Sequence, residues 1–318
     1  MLVRDAVGTE RIAETSAMAS RISVHIVSDD SVADAEAQLS DALQVFHEVD
    51  RTCTRFDPSS DLMRANAGGN EWVAVAPYCF DAIRGAYAAY RRTFGWFDPR
   101  VLADLVRLGY DRSLKHAAPS FREATALIPR MALPEWRPEF RHVSSEVRVG
   151  PVPIDLGGIG KGLAVRWAAD RLRVATGSLV EAGGDCMCRG VAADGSPWRV
   201  GVEDPSDTTQ PVAVIEVRDA AVATSSVRIR SWQIAGQDVH HLIDPRTGQP
   251  GGQGLAAVTV VDSDPAAAEV ASKTLFLAGR RGVRTSAEHL GLAALWVDDN
   301  GVLGWSAALA PILVWSRP

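Results

Sequence analysis

Residues Ile154-Asp155-Leu156-Gly157-Gly158-Ile159-Gly160-Lys161-Gly162 place four glycines and a lysine at the start of a helical pattern, KGLAVRWAADRLRVA at 161–175, which Gly177 is expected to close. Glycines here let a backbone approach a ligand closely, and the free N–H groups of a first helical turn suit a phosphate. Two familiar phosphate loops are nevertheless excluded. A P-loop needs Gly where Asp155 stands and Ser or Thr where Gly162 stands. A dinucleotide fingerprint begun at Gly158 needs its third glycine where Leu163 stands. A strand is expected before Asp155, and a plain tight strand-to-helix turn would use the same residue types. On its own, then, the segment leaves a nucleotide site and a simple turn both open.

Other segments are equally ambiguous when taken singly. His240-His241-Leu242-Ile243-Asp244-Pro245-Arg246-Thr247-Gly248 combines turn chemistry with a His three residues before an Asp, which is also the spacing of an acid/base pair. Glu269 and Lys273 lie four apart on a helical stretch, Pro265 to Ala278, stopped by Gly279; their order suits an exposed ion pair. Ala182-Gly183-Gly184-Asp185 and Ala223-Thr224-Ser225-Ser226 read as turns or as polar clusters.

Around these segments the periodicity predicts a strand at 21–27, a helix at 31–50 capped by Ser31, a turn cluster at 55–61, and a helix at 78–94 ending at Gly95. The proline-bearing stretch 115–140 is expected to be irregular. Residues 179–190 read as strand, turn, strand, with Cys186 and Cys188 on one strand face as packing. Two further strands are expected at the C-terminus. With few regular βα alternations, this mixture predicts an α+β fold.

Net charge is −6, from 33 basic and 39 acidic residues, which gives no general pull on nucleic acid or anionic membrane. No apolar run reaches a bilayer span, and the first 20 residues lack the apolar stretch of a signal peptide, so the cytoplasm is the expected compartment. The four cysteines form no C-x-x-C pair and fit free thiols in a reducing compartment. Of the 33 basic residues, 30 are arginine; the lysines are Lys115, Lys161 and Lys273.

In order and spacing, these blocks resemble the ApbE-type flavin transferases, or FAD:protein FMN transferases. Met18-Ala19-Ser20 is similar to the family's Met-Gly-Thr segment. Thr54-Arg55-Phe56-Asp57 with Ser60 and Asn66 is similar to Ser-Arg-Tyr-x-x-x-Ser…Asn. Gly95-Trp96-Phe97-Asp98-Pro99 resembles Gly-Ala-Phe-Asp-Pro, and Asp155 to Gly162 resembles Asp-Leu-Gly-Gly-Ile-Ala-Lys-Gly. Ala182 to Asp185, Ala223 to Ser225 and His241 to Gly248 follow in family order.

The resemblance covers residues 16–310 as one unit of two closely joined α/β subdomains around an FAD cleft, with 1–15 as a poorly ordered extension. It implies that FAD is cleaved at its pyrophosphate, AMP leaves, and FMN is joined by a phosphoester to a Thr or Ser of a target protein, with Mg²⁺ assisting. The implied acceptor is a flavoprotein carrying a short Ser/Thr-Gly-Ala-Ser/Thr segment. FAD contacts are implied for Met18, Phe56, Trp96, Phe97, Asp98, Asp155, Lys161, Gly183, Gly184, Thr224, Ser225 and Ile243. Implied catalytic groups are Lys161 as a compact cation and His241 as the base, ordered by Asp244. Two other readings of the same cleft are a hydrolase that gives AMP and FMN with water as acceptor, and a flavin-binding protein without catalysis.

The chain departs from the family at the implied metal site, which comprises the Gly158 carbonyl and two late-helix positions holding Glu269 and Lys273 here. An ammonium has no lone pair to offer and repels a cation. Either Lys273 occupies the metal's place, pairs with Glu269 and neutralises the pyrophosphate itself, or it swings to solvent and leaves a weaker site on Glu269, Gly158 and water.

Overall fold

The computed structural model describes residues 8–28, 32–111, 133–173, 176–207, 209–228, 230–234 and 236–317. The expected Ser31 cap, Lys115 and most of the stretch expected to be irregular lie outside them.

Eight strands form the central sheet: β1 (Thr9–Ala17), β2 (Ser20–Ser28), β3 (Gly177–Ala182), β4 (Asp185–Gly190), β5 (Ala220–Ser226), β6 (Leu255–Asp262), β7 (Ala293–Asp298) and β8 (Leu303–Trp305). They lie side by side in chain order, and every neighbouring pair is antiparallel. The sheet is therefore an extended meander into whose connections the remaining elements are inserted.

From Thr9 onward the expected N-terminal extension is strand β1, paired along its length with β2. TERIAETSA alternates partly buried and exposed positions, and β2 offers an edge that this alternation satisfies.

Helices α1 (Val32–Cys53), α5 (Gly160–Ala169) and α6 (Pro265–Leu277) cover one face of the sheet. Between α1 and α5 the chain forms α2 (Asp61–Gly68), α3 (Pro77–Arg92) and α4 (Leu102–Arg107). Helix α1 buries Ala35, Leu39, Ala42, Val45, Phe46 and Val49, a stripe at helical spacing, against Ile22, Val24 and Ile26 of β2. Each such large apolar side chain contributes about 1.5–3 kcal/mol of burial. The opposite face carries a small sheet of strands 198–203, 211–217 and 313–316, packed on Val27, Cys186, Cys188 and Val222. Cys186 and Cys188 are thus core residues, and all four cysteines are free.

Helix α6 is buried nearly all round, because it lies between β5, β6 and α5. Asp264 caps it by accepting the Ala267 N–H at 2.8 Å. A second helix not expected from the sequence, α7 (Gly279–His289), follows at once. Helix α5 stops at Ala169, short of the predicted 175, and Gly177 instead opens β3, where a side chain would collide with the Val191 carbonyl. The expected strand before Asp155 is also absent among the described residues: only Glu146–Arg148 is extended and paired, and residues 153–156 run as irregular backbone.

Candidate active site

The glycine-rich segment is fixed in space by its neighbours. Asn66 on α2 donates from Nδ2 to the Ile154 carbonyl and accepts the Ile154 N–H at Oδ1, both at 2.9 Å. The Asp155 N–H donates to the Pro99 carbonyl at 2.7 Å. The Asp155 carboxylate accepts the Gly157 N–H at 2.7 Å and pairs with Arg55 Nε at 2.9 Å. Arg55 is nearly buried, with its guanidinium 4.2 Å from the Phe56 ring centre and 4.3 Å from that of Tyr110. Such cation–π stacking holds a desolvated charge against one wall of the site.

Directly behind this loop stands a cluster of four charges. Lys161, on the first turn of α5, bonds Asp185 at the start of β4. Lys273 on α6 donates to Glu269 Oε1 at 3.1 Å, and Lys161 Nζ lies 3.8 Å from that oxygen. The other carboxylate oxygen, Glu269 Oε2, accepts the Gly162 N–H at 2.8 Å, while Asp185 Oδ1 accepts the Thr224 N–H at 3.1 Å. Both carboxylates are buried, so pairing and hydrogen bonding are obligatory. Burial pushes Glu269 up, but Lys273, Lys161 and the Gly162 N–H outweigh it and hold the carboxyl below its ordinary range. At Asp185 burial prevails over Lys161 and the shift is upward. Burial acts to lower Lys161, yet Asp185 and Glu269 leave it above the usual lysine value.

A cleft of about 440 Å³ opens above the cluster. Its apolar lining includes Met18, Phe56, Trp96, Phe97 and Ile243, and its polar lining includes Asp98, Asp155, Lys161, His241 and Lys273. Met18 enters from the β1–β2 turn, where Met18 and Ala19 both take left-handed backbone (φ 51° and 57°). The Met18 N–H is tethered to Asp50 Oδ2 at 2.9 Å.

His241 lines the cleft with Nδ1 against the Arg230 carbonyl at 3.3 Å. Burial, with Arg230 and Lys273 nearby, drives its pKa well below 6.5, so the ring is neutral at physiological pH. With Nδ1–H given to Arg230, Nε2 is left as the acceptor.

Several expectations change here. Asp244 was to order His241, but its carboxylate accepts Arg246 N and Nε at 2.9 Å and pairs with Nη2 at 2.7 Å. The His241 ring is instead held through Arg230. Asp98 is engaged in the same way by Arg100, at 2.9, 3.0 and 2.7 Å. The two Asp-Pro-Arg turns share one geometry, and the Arg246 guanidinium stacks 3.9 Å over the Trp96 ring, joining one turn to the segment that carries the other.

The hydroxyls of Thr224 and Ser225 face inward, the first 2.9 Å from Thr259 Oγ1 and the second 2.8 Å from Ser272 Oγ. They join β5 to β6 and to α6 and are not among the cleft-lining residues. Gly183 and Gly184 likewise stand outside that lining. They make the β3–β4 turn in left-handed backbone, where a side chain on Gly183 would strike Ser20 Oγ. It is Asp185, the next residue, that reaches the charge cluster.

Arg55, Asp185 and Arg230 were therefore missed as site residues. The first two sit inside blocks already singled out, whereas Arg230 carries no local signal.

The residues present do not fit a divalent cation. Both oxygens of Glu269 are engaged, and the Lys273 stem runs beside Gly158, with Cδ and Cε 3.5 Å from where a Gly158 Cβ would be. No group of three or more His, Cys, Asp or Glu side chains gathers to hold a metal among the described residues.

Comparison with known proteins gives a consistent set of likenesses. The ApbE family profile matches residues 18–296. The chain is 26% identical over 305 residues to the FAD:protein FMN transferase of Vibrio cholerae, covering 93% of this chain and 90% of that one. It is 27% identical over 301 residues to the Salmonella typhimurium protein of the same name, covering 92% and 85%. Among solved structures, the ApbE protein of Thermotoga maritima superposes with a TM-score of 0.80 at 26% identity, covering 98% of this chain and all of that one. The apo flavinyl transferase ApbE of Pseudomonas stutzeri superposes at 0.77 with 23% identity, over 97% and 98% of the two chains, a likeness of fold.

Proposed function

The chain belongs to the ApbE family, and from that premise we propose that it transfers FMN from FAD to a Thr or Ser hydroxyl of a target protein, releasing AMP. The observation that carries the reading is one cleft holding a neutral, half-buried histidine, a pair of lysines and an aromatic wall. The isoalloxazine ring suits the side of Met18, Phe56, Trp96 and Phe97, where stacking and dispersion are available. The pyrophosphate suits the floor, near Lys161 and the Gly157–Gly158 backbone, where fixed positive charge meets charge that builds up in the transition state.

His241 accepts the acceptor hydroxyl's proton as its oxygen attacks the FMN phosphorus. The pyrophosphate P–O bond to AMP breaks, and AMP leaves with that electron pair. A base with a strongly lowered pKa stays unprotonated well below pH 6.5, so the proton acceptor is present throughout the neutral range. Asp155 and Arg55 position the loop, and Asp98 and Asp244 hold the two turns that shape the cleft mouth.

No helix of the described residues is long and apolar enough to cross a membrane. Four free thiols suit a reducing compartment, and we assign the protein to the cytoplasm on that basis.

The test is mass spectrometry of an acceptor polypeptide with a Ser/Thr-Gly-Ala-Ser/Thr segment, incubated with the protein and FAD. A mass gain of one FMN on the acceptor with equal AMP supports the transferase. AMP without acceptor modification, when water takes the acceptor's place, would replace it with a hydrolase. FAD retained without AMP would leave a binding protein. His241→Asn should abolish modification while FAD still binds.

A further inference from the structure

Resting on the reading that this cleft takes FAD, we propose that Lys273 is the built-in cation of the reaction, so that flavin binding and transfer in this chain require no divalent metal. Three independent contacts place the ammonium. Its stem runs along the backbone at Gly158, on the phosphate-facing loop. Its head donates to Glu269 Oε1 at 3.1 Å. It lines the same cleft as Lys161 and His241, with the side chain 17% exposed, so it is neither sealed in nor free in solvent.

Glu269 is built to hold this ammonium. Its side chain is 1% exposed, and its second oxygen is tied to the Gly162 N–H. A carboxylate fixed at both oxygens and flanked by two ammonium groups has no favourable face left for a hydrated divalent ion. That ion would also have to displace a positive charge already in position.

The cluster balances in itself: Lys161 and Lys273 against Asp185 and Glu269. A pyrophosphate brings negative charge that must be met. Lys161 bonds Asp185 and also lies 3.8 Å from Glu269 Oε1, so its charge is shared between two carboxylates, whereas Lys273 gives one of its three N–H donors to Glu269 alone. The remaining donors serve the phosphate oxygens, and the negative charge gathering on the departing AMP oxygen is met by hydrogen bonding, with the proton staying on nitrogen. The step needs no co-reactant beyond FAD and the acceptor hydroxyl.

The experiment is a fluorescence titration of FAD into chelator-treated protein, in EDTA and in millimolar Mg²⁺, for the wild type, Lys273→Met and Lys273→Thr. Wild-type affinity should agree within about twofold between the two buffers, and Lys273→Met should weaken binding about tenfold in both. Lys273→Thr, which exchanges the ammonium for an oxygen donor, should bind weakly in EDTA and recover with Mg²⁺. A wild-type affinity that rises about tenfold or more on adding Mg²⁺ overturns the proposal, as does Lys273→Met binding FAD like the wild type. Should the variants fail to fold, the wild-type pair of titrations still decides. Absence of FAD binding in every buffer removes the underlying reading and this proposal together, whereas binding that demands Mg²⁺ removes the proposal alone.

Discussion

Asn66 and Ile154 are joined by a reciprocal pair of hydrogen bonds, side-chain amide to backbone amide, both at 2.9 Å and across 88 residues of sequence. The backbone at 154 has no strand partner, so this side chain supplies what a neighbouring strand otherwise would. It is the bond by which α2 sets the height of the glycine-rich loop.

Replacing Asn66 with Ala leaves one donor and one acceptor of Ile154 unpaired in a buried place, a loss of about 2 kcal/mol. Asn66→Asp should cost at least as much, because a carboxylate oxygen then faces the Ile154 carbonyl. Urea unfolding should show a lower midpoint with an unchanged slope for both variants, and FAD affinity should fall with it. An Asn66→Ala midpoint equal to that of the wild type would show that the loop is held by other contacts.

The β1–β2 turn carries strain where Met18 meets the cleft. Neither Met18 nor Ala19 is glycine, yet both have positive φ, the pair of angles that a tight two-residue hairpin turn requires. Left-handed backbone costs an alanine about 1–2 kcal/mol, while glycine there carries a larger entropy loss on folding. Ala19→Gly should therefore stabilise the protein by a net ~0.5–1 kcal/mol, read as a rise in Tm, with FAD affinity kept because Met18 and its tether to Asp50 are untouched. A fall in Tm would mean that the turn is not strained at Ala19.

How much of this was legible in the sequence depended on whether the signal was local. The hairpin 179–190 and the start of α6 after Asp264 are written in turn and cap residues and form as expected, whereas the glycine-rich loop opens its helix as expected but is entered from irregular backbone and not from a strand. Helix α7 was missed because GRRGVRTSAEH buries only Gly279, Val283 and Ala287, one position per turn, and two of the three are too small to read as apolar anchors. The inward hydroxyls of Thr224 and Ser225 could not be told from ligand contacts, since their partners Thr259 and Ser272 lie on elements 35 and 47 residues away. Asp244 reads in the sequence as a catalytic carboxylate, whereas in the fold Arg246 closes back on it; Arg100 does the same to Asp98, which nevertheless lines the cleft. Spacing alone does not reveal that an Asp-Pro-Arg turn closes on itself.

Helices α5 and α6 touch at Gly162. A Cβ there would lie 2.5 Å from the Pro265 carbonyl oxygen and 2.7 Å from Ala266 Cα, both backbone atoms that cannot step aside. Alanine in place of helical glycine ordinarily stabilises by about 1 kcal/mol. Here the sign reverses, and Gly162→Ala should destabilise by about 1–3 kcal/mol and disturb the Gly162–Glu269 bond. Gly85 on α3 is the control: a Cβ there meets the end of Leu163 at an ordinary 3.4 Å, so Gly85→Ala should be neutral or stabilising. Equal effects at the two positions would refute the close-approach argument.

Acid should weaken the fold before the carboxylates titrate, because of the paired histidines. Burial pushes His240 down to about 4 and His241 well below its ordinary 6.5. Both are neutral in the folded protein and take up protons on unfolding at any pH between the folded and unfolded values. The unfolded state then binds more protons, so unfolding free energy rises with pH through that window and is lost as pH falls from about 6.5 toward 4. His240 alone accounts for about 3 kcal/mol across the full window, with His241 adding in the same direction. Asp185, raised by burial, acts in the opposite sense, so the slope is best read as a difference between proteins. Urea midpoints measured from about pH 7 to 5 should fall more steeply for the wild type than for His240→Gln, which cannot take up the proton. Parallel slopes for the two would mean that His240 is protonated in the folded protein, and the apolar packing of its ring against Phe276 would then need another account.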